Sequence, residues 1–325
     1  MDSACLVTFM IATRNRIAEL EKTLAACLEQ DWPALEILVV DDGSTDGTYE
    51  RVRAKFPQVD IVRREKNRGS VAARNDIVQR ARGKYIIGLD DDSRFIELDS
   101  CRRVIERMEA EPDLGIISFQ AIGPENPASM TEEGRLHGEW HCSLFAACGV
   151  ALRRSMLEET GLFPEFFFHT YEEPDLCIRA WNAGYRVLQW NDIIVYHAFS
   201  GLNRNEQRNH RFHARNEACS IWMRCPWHLV VPMTMARLFG QARYAASRGW
   251  LLWEPRVWAE FLWRLPRSLL QRRAVSSKAI KISIAVNRVR IADADAVWRL
   301  GDLSWRQIFR GDFPREFQVK ELVHT

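Results

Sequence analysis

The sequence predicts an α/β fold over residues 1–200, a mixed but mostly parallel sheet flanked by helices, followed by a mainly α-helical region over 201–325. Three observations predict it: apolar runs of strand length alternate with segments of helical period, polar clusters stand where the runs end, and composition changes near residue 200. Residues 1–200 carry 23 Lys and Arg against 33 Asp and Glu, whereas 201–325 carry 22 against 10, so a net charge of +2 conceals an acidic part and a basic part. Eight of the 12 Trp also follow residue 200, which points to an anionic surface, membrane or nucleic acid, as a partner of that part.

Residues 6–12 read as a buried strand, and Ile17, Leu20, Leu24 and Leu28 then recur on one helical face. A second apolar run at 36–40 ends in Asp41-Asp42-Gly43-Ser44, and Asp46 is placed to cap a helix bearing Tyr49, Val52 and Phe56. A short strand at 59–62 leads to the turn Asn67-Arg68-Gly69, with Ser70 as cap of a helix that ends at Gly83. The fourth run, KYIIGL, stops in three carboxylates, Asp90, Asp91 and Asp92. Leu98, Cys101, Ile105 and Met108 mark a further helix, 114–119 a strand, 126–140 an irregular loop and 145–153 a strand of small residues. Strand-helix alternation implies right-handed crossovers, which place ligands outside the carboxyl ends of the strands.

Those ends carry Thr13-Arg14-Asn15, Asp41-Asp42 and Asp90-Asp91-Asp92, three polar clusters that converge on one crevice. Adjacent like charges repel unless a cation compensates, and hard oxygen ligands suit Mg2+ or Mn2+ arriving with substrate phosphates. The plainer alternative is a solvated acidic turn. Arg74 is placed to face a phosphate, and the second-strand acids suit ribose hydroxyls and base N–H donors. No GxGxxG follows the first strand and no GxxxxGK[ST] occurs, which removes most support for a dinucleotide dehydrogenase or a P-loop nucleotidase. Glu172 and Glu173 stand just ahead of a helix with Asp175 in its first turn and Gly184 as its stop, a favourable place for carboxylates in any protein. The eight Cys form no CxxC pair and sit in apolar patterns, as buried thiols of a reducing compartment do, and without an HExxH pattern no zinc site is expected. No signal peptide precedes Cys5, and the run at 228–236 is short and holds Pro232, so the expected location is cytoplasmic, with at most peripheral contact at the inner face of the membrane.

Taken in order, FMIATRNR, ILVVDDGSTDGT, NRGSVAARN and YIIGLDDDS resemble the amino-terminal half of family 2 glycosyltransferases, which have the GT-A fold. The resemblance implies that Thr13 and Asp42, with Asp41 beside it, hold the nucleotide base and that Arg74 lies on the nucleotide side. It makes Asp90–Asp92 the family's DxD, with Asp92 the direct metal ligand and Asp90 or Asp91 at the ribose. FAACGVALR resembles the family's small-residue strand, in which Gly149 leaves space for the donor sugar. In YEEPDL the second acid of the pair, Glu173, takes the role of general base beside Glu172, although many relatives have Asp there and Asp in place of Pro164. His197 matches a position near the metal or diphosphate, and a purely structural histidine is the alternative. Trp140 and Asp175 are candidates for the acceptor side, Trp140 being equally suited to core packing.

The implied reaction is an inverting transfer from a UDP-, dTDP- or GDP-sugar to a hydroxyl of a glycan or lipid-linked acceptor, assisted by Mg2+ or Mn2+, in cell-envelope polysaccharide or glycolipid synthesis. A sugar-phosphate nucleotidyltransferase would carry a Gly-rich activating segment where this chain has TRNRIAELEK, and a non-catalytic scaffold would have lost the DxD or the base. RFHARNEA resembles the helix that follows the catalytic domain in many lipid-dependent transferases. Val257, Trp258, Phe261, Leu262 and Leu265, beside Arg256, Arg264 and Arg267, form a basic amphipathic helix that either lies in an anionic membrane interface or packs on its own domain. No nucleic-acid-binding pattern accompanies the charge, and nucleic acid is not an expected partner.

Overall fold

The computed structural model describes residues 5–199, 205–314 and 317. Strand and helix alternate as β1 (Val7–Thr13), α1 (Ile17–Leu28), β2 (Leu35–Asp41), α2 (Thr48–Lys55), β3 (Asp60–Arg63), α3 (Ser70–Arg80), β4 (Tyr85–Asp90), β5 (Ser93–Phe95) and α4 (Ser100–Ala110). There follow β6 (Leu114–Ile122), β7 (Glu139–His141), β8 (Gly149–Arg153), α5 (Arg154–Thr160), α6 (Glu172–Asn182) and β9 (Arg186–His197). The helical region comprises α7 (Glu206–Arg224), α8 (Trp227–Ser247), α9 (Glu254–Leu270), α10 (Ser277–Ala285), α11 (Ala294–Arg299) and α12 (Trp305–Arg310). The mixed α/β class and the helical carboxyl-terminal region are those the sequence predicts.

The strands form one sheet in the order β3-β2-β1-β4-β8-β6-β9-β5, with β7 also on β9. β3, β2, β1 and β4 run parallel to one another, and β8 runs antiparallel between β4 and β6. Register carries function here: Thr13 pairs with Asp41 and Ala12 with Asp90, which brings three polar strand ends to one level. Alternation along β1 sends Phe9 and Ile11 to a core under α1, α2 and α4, and Met10 to the opposite core under α3, α5 and α6. Helices on both faces follow from strands that are apolar on both sides.

Local details differ from the expectation. Gly69, not Ser70, precedes the first turn of α3, and the Ser70 hydroxyl lies 3.1 Å from His169 Nδ1 instead of capping the helix. That helix stops at Arg80, and Gly83 instead packs against Thr8, whose hydroxyl oxygen accepts from the Gly83 N–H. Leu98 is exposed ahead of α4. All eight Cys are free and seven are buried.

The boundary expected at 200/201 lies outside the described residues. On either side of it the core is continuous: Leu176, Ala180 and Trp181 share one apolar layer with Ala218, Cys219, Phe261 and Ile280. The amphipathic stripe of α9 contributes to that layer, because Val257 and Phe261 are buried and Trp258 and Leu265 pack against it, leaving Leu262 alone of the five exposed. Of the two readings of that stripe, packing on its own domain is the one found. No described helix is long and apolar enough to cross a membrane. A chain ending at residue 199 would uncover this layer and strip Asp175 of its partners Arg224 and Ser220. We expect such a chain to show no cooperative unfolding transition by calorimetry, and an intact transition would make the helical region a separate folding unit.

Candidate active site

The carboxylates at the end of β4 and in the turn after it divide into two groups. Asp90 and Asp92 turn to His197, placing one ligand atom from each of the three within 4.8 Å of one another. His197 Nε2 is 3.2 Å from Asp92 Oδ1 and 3.9 Å from Asp90 Oδ2, a position set by antiparallel pairing of Ser93 with His197. Asp91 turns the other way, accepting from Thr13 Oγ1 at 2.8 Å and Arg16 Nη1 at 3.0 Å. Burial pushes its carboxyl up to about 6 against the opposing pull of Arg16 and Thr13. Asp91, expected at the ribose, and Thr13, expected at the base, are thus bonded to each other. Two carboxylates and one imidazole are a donor set that fits Mn2+ or Mg2+.

At the end of β2, Asp42 accepts from the Arg68 and Gly69 backbone N–H groups at 3.0 and 2.8 Å and from Arg64 Nη1 at 3.1 Å. This carboxylate, expected at the nucleotide base, holds the turn before α3. Asp41 Oδ1 accepts from the Ser44 N–H at 2.8 Å, while its buried Oδ2 has no hydrogen-bond partner and is the open acceptor of the pair. Gly149, expected to leave space for the donor sugar, also serves packing: an added Cβ would meet Val195 Cγ2 at 3.1 Å and Phe119 at 3.4 Å, side chains of the core.

Arg74 joins the two acidic groups. Its Nη1 donates to Glu172 Oε1 at 2.6 Å and its Nη2 to Asp90 Oδ1 at 3.3 Å. Burial opposes its charge, but Glu172 and Asp90 outweigh burial and raise its pKa. Glu172 and Glu173 form the first two residues of α6, inside the helix rather than ahead of it. Glu172 is buried and held by Arg74. Burial and the neighbouring Glu172 charge push the Glu173 carboxyl up to about 8, with Arg74 pulling the other way.

The loop that delivers this pair is strained. Phe168, Thr170 and Tyr171 have φ of 69°, 63° and 70°, in the left-handed region that costs non-Gly residues about 1–3 kcal/mol each. Residues of α7 hold it: Asn216 Nδ2 lies 2.9–3.1 Å from the Phe167, His169 and Thr170 carbonyls, and Arg215 Nη2 donates to Phe167 O at 2.7 Å. On the other side, a side chain at Gly69 would overlap the Phe168 carbonyl, so α3 closes on the loop only through glycine. Arg16, Arg215 and Asn216 were not singled out as site residues, although RFHARNEA carries two of them.

Two acceptor-side candidates lie elsewhere in the chemistry. Asp175 is fully buried, accepting from Arg224 Nε at 2.8 Å, Arg179 Nε at 3.0 Å and Ser220 Oγ at 2.9 Å. Burial alone would raise its pKa, but the two arginines hold it low, so Asp175 anchors α6 to α7. Trp140, in β7, packs on the core and carries the Arg290 guanidinium over its ring at 4.3 Å. A cleft of about 550 Å³ instead opens along α6 beside Tyr171, Pro174 and Ile178, bounded by Glu217, Arg237 and Asn287 of α7, α8 and the chain after α10.

This sheet with acids at its strand ends is that of a nucleotide-sugar transferase, and comparison with known proteins agrees. The model of glycosyl transferase family 2 matches residues 8–161. An uncharacterized glycosyltransferase of Bacillus subtilis, YwdF, is 30% identical over 214 residues, which span 62% of this chain and 76% of that protein. The chain belongs to glycosyltransferase family 2 and is a glycosyltransferase. The succinoglycan biosynthesis protein ExoO of Rhizobium meliloti is 37% identical over 105 residues, 32% of this chain and 30% of its own length. The chain thus spans under a third of that relative. Among solved structures, S. aureus TarS 1–349 in complex with UDP-GlcNAc superposes with a TM-score of 0.59 at 18% identity, covering 93% of this chain and 92% of that one. The mannosyltransferase PcManGT of Pyrobaculum calidifontis, in complex with GDP-Man and Mn2+, gives 0.54 at 20% identity over 81% and 88%. These likenesses establish the GT-A fold.

The Glu173 shift has a sign that stability measurements read. A carboxyl raised from 4.5 to about 8 on folding stabilises the folded state fully below pH 4.5 and loses that contribution as pH rises through 8. Glu173→Gln is therefore expected to unfold at the same temperature as the parent at pH 4 and at a higher one at pH 8.5. Equal melting temperatures at pH 8.5 would show that Glu173 is not so perturbed.

Proposed function

We propose that this transferase moves a hexosyl group from a nucleoside-diphosphate sugar to a hydroxyl of a glycan or lipid-linked acceptor, with inversion at the anomeric carbon. The observation that carries the proposal is the Arg74 bridge, which sets the raised carboxyl of the Glu172-Glu173 pair one side chain away from the Asp90-Asp92-His197 group. Glu173 takes the proton of the attacking hydroxyl as its oxygen bonds to the anomeric carbon. The bond to the diphosphate breaks on the opposite face, and its electron pair leaves with the nucleoside diphosphate. Asp90, Asp92 and His197 would hold Mg2+ or Mn2+, which when bound disperses charge on the leaving diphosphate. Arg74 holds Glu172 in an ion pair, and burial with the neighbouring Glu172 charge makes Glu173 a stronger base. Asp41 Oδ2 is the acceptor offered to the nucleotide, and the cleft along α6 receives the acceptor.

Relatives support the setting. ExoO is named for succinoglycan biosynthesis, and a poly-β-1,6-N-acetyl-D-glucosamine synthase of Staphylococcus epidermidis is 31% identical over 117 residues. We place the protein in envelope polysaccharide or glycolipid synthesis, peripheral at the inner face of the cytoplasmic membrane through its basic helical region.

Calorimetric titration with UDP, dTDP and GDP, each with and without Mn2+, is the first test. One nucleotide is expected to bind only with metal, and Asp92→Ala to abolish that binding; binding indifferent to both would overturn the site. Glu173→Gln should retain nucleotide binding and lower kcat about 10²–10⁴-fold. The parent's kcat should rise with pH up to about 8, as Glu173 loses its proton.

A further inference from the structure

The helical region leaves one large apolar surface uncovered. On α8, Trp227, Val231, Met235 and Phe239 stand four residues apart and form a single ridge, each between 58% and 66% exposed. The inward face of the same helix is satisfied, with Leu229, Val230, Thr234 and Leu238 buried. Apolar residues extend the ridge at both ends. Past its carboxyl end the turn Leu251–Trp253 exposes Leu252 at 93%. At its amino end the Arg272 guanidinium lies 3.8 Å over the Trp227 ring, which brings up the end of α9, where Leu270 is 88% exposed. Soluble proteins rarely leave so much contiguous apolar surface bare without a partner.

Charge identifies the partner. No Asp or Glu occurs between Glu217 and Glu254, whereas Arg237, Arg243 and Arg248 lie along the same stretch and are exposed. The carboxylates that approach from neighbouring elements are Glu217, buried against Arg237 at 3.4 Å, and Glu206, 3.5 Å from Arg248. An apolar ridge with aromatic residues at its ends and arginines beside it matches the boundary between acyl chains and anionic headgroups. A second copy of this face would set its arginines against each other, and a nucleic acid backbone would leave the ridge in water. We infer that the α8 ridge, with Leu252 and Leu270 at its ends, seats the protein on an anionic lipid bilayer. Met233 and Arg237, on the side of α8 away from the ridge, line the cleft beside α6, so the ridge can lie on a surface without closing that cleft. The inference rests on the membrane-peripheral reading of the helical region and names the surface responsible.

The test is co-sedimentation of the full chain with phosphatidylcholine vesicles, with and without added phosphatidylglycerol, at low and high salt. The parent is compared with Val231→Glu, Phe239→Glu and Arg243→Glu, with Arg53→Glu on α2 as a charge-matched control and melting temperature as the check of folding. The parent and Arg53→Glu are expected to partition onto phosphatidylglycerol vesicles, more weakly at high salt, and Val231→Glu and Phe239→Glu each to lose about tenfold or more. Arg243→Glu should weaken binding on the anionic vesicles alone. If the parent binds and the two apolar substitutions bind equally well, the ridge is the wrong surface while the membrane reading stands. If the parent ignores every vesicle, both fail. A parent that sediments as a dimer, is split by Phe239→Glu and binds no vesicle would assign the ridge to a second copy and overturn the inference.

Discussion

Arg74 is the interaction on which the site depends. Asp90, Asp91, Asp92, Glu172 and Glu173 converge within a largely desolvated crevice, where like charges cannot all stay ionised unless cations stand between them. The protein places two. Arg16 takes Asp91 and reaches Asp92 at 3.3 Å, and Arg74 spans the gap from Asp90 to Glu172. The division is unequal, and the inequality is chemically useful. Glu172 and Asp90 share the Arg74 guanidinium, whereas Glu173 has burial and the Glu172 charge raising its carboxyl to about 8 against the pull of Arg74.

That arrangement requires α6 to start at a fixed place, and the loop before it is held there against its own preference. Three left-handed residues in a run of four would relax if the loop were free, at a gain of several kcal/mol on the usual scale. Asn216 and Arg215 bind the carbonyls that the unusual dihedrals turn outward, and the Asp175 cluster with Arg224, Arg179 and Ser220 fixes the helix one turn further on. Removing one partner of a buried ion pair of this kind costs about 3–5 kcal/mol, which is enough to let the loop move. The helical region is thus a structural part of the site.

Strand-helix alternation made the donor half legible, because buried parallel strands leave long apolar runs and their polar ends are abrupt. The direction of each aspartate was not legible, because Asp91 and Asp92 lie in the turn after β4, where strand alternation no longer holds. What could not be read was who satisfies whom across long separations. Asp175 looks like any acid in the first turn of a helix until Arg224, 49 residues later, is found against it. Asp42 looks free for a ligand until the Arg68 and Gly69 amides, 26 and 27 residues on, close around it. Helical period located the stripe of α9 but could not say that α7 covers it. The Pro232-bearing run of α8 was passed over as short, although a proline interrupts one hydrogen bond and not the i, i+4 alignment of the exposed side chains.

The two ends of the reaction are built from different parts of the chain. The family model ends at residue 161, before Glu172, while the match to YwdF covers about three-fifths of the chain. Within 8–161 the carboxylates Asp41, Asp90 and Asp92 come from strand ends aligned by register, and His197 of β9 joins them from beyond; a sheet fixes such positions with little help from elsewhere. The cleft along α6 has no such frame. Its walls are α7, α8 and the chain beyond α10, elements whose positions depend on the buried Asp175 cluster and on the shared apolar layer. One helix, α7, therefore serves two duties: its Asn216 face holds the loop that leads into Glu172 and Glu173, and its remaining surface carries α8 and α9. The exposed ridge, the cleft and the loop before α6 are all tied to α7, so a change in any one of them is felt by the others through this helix.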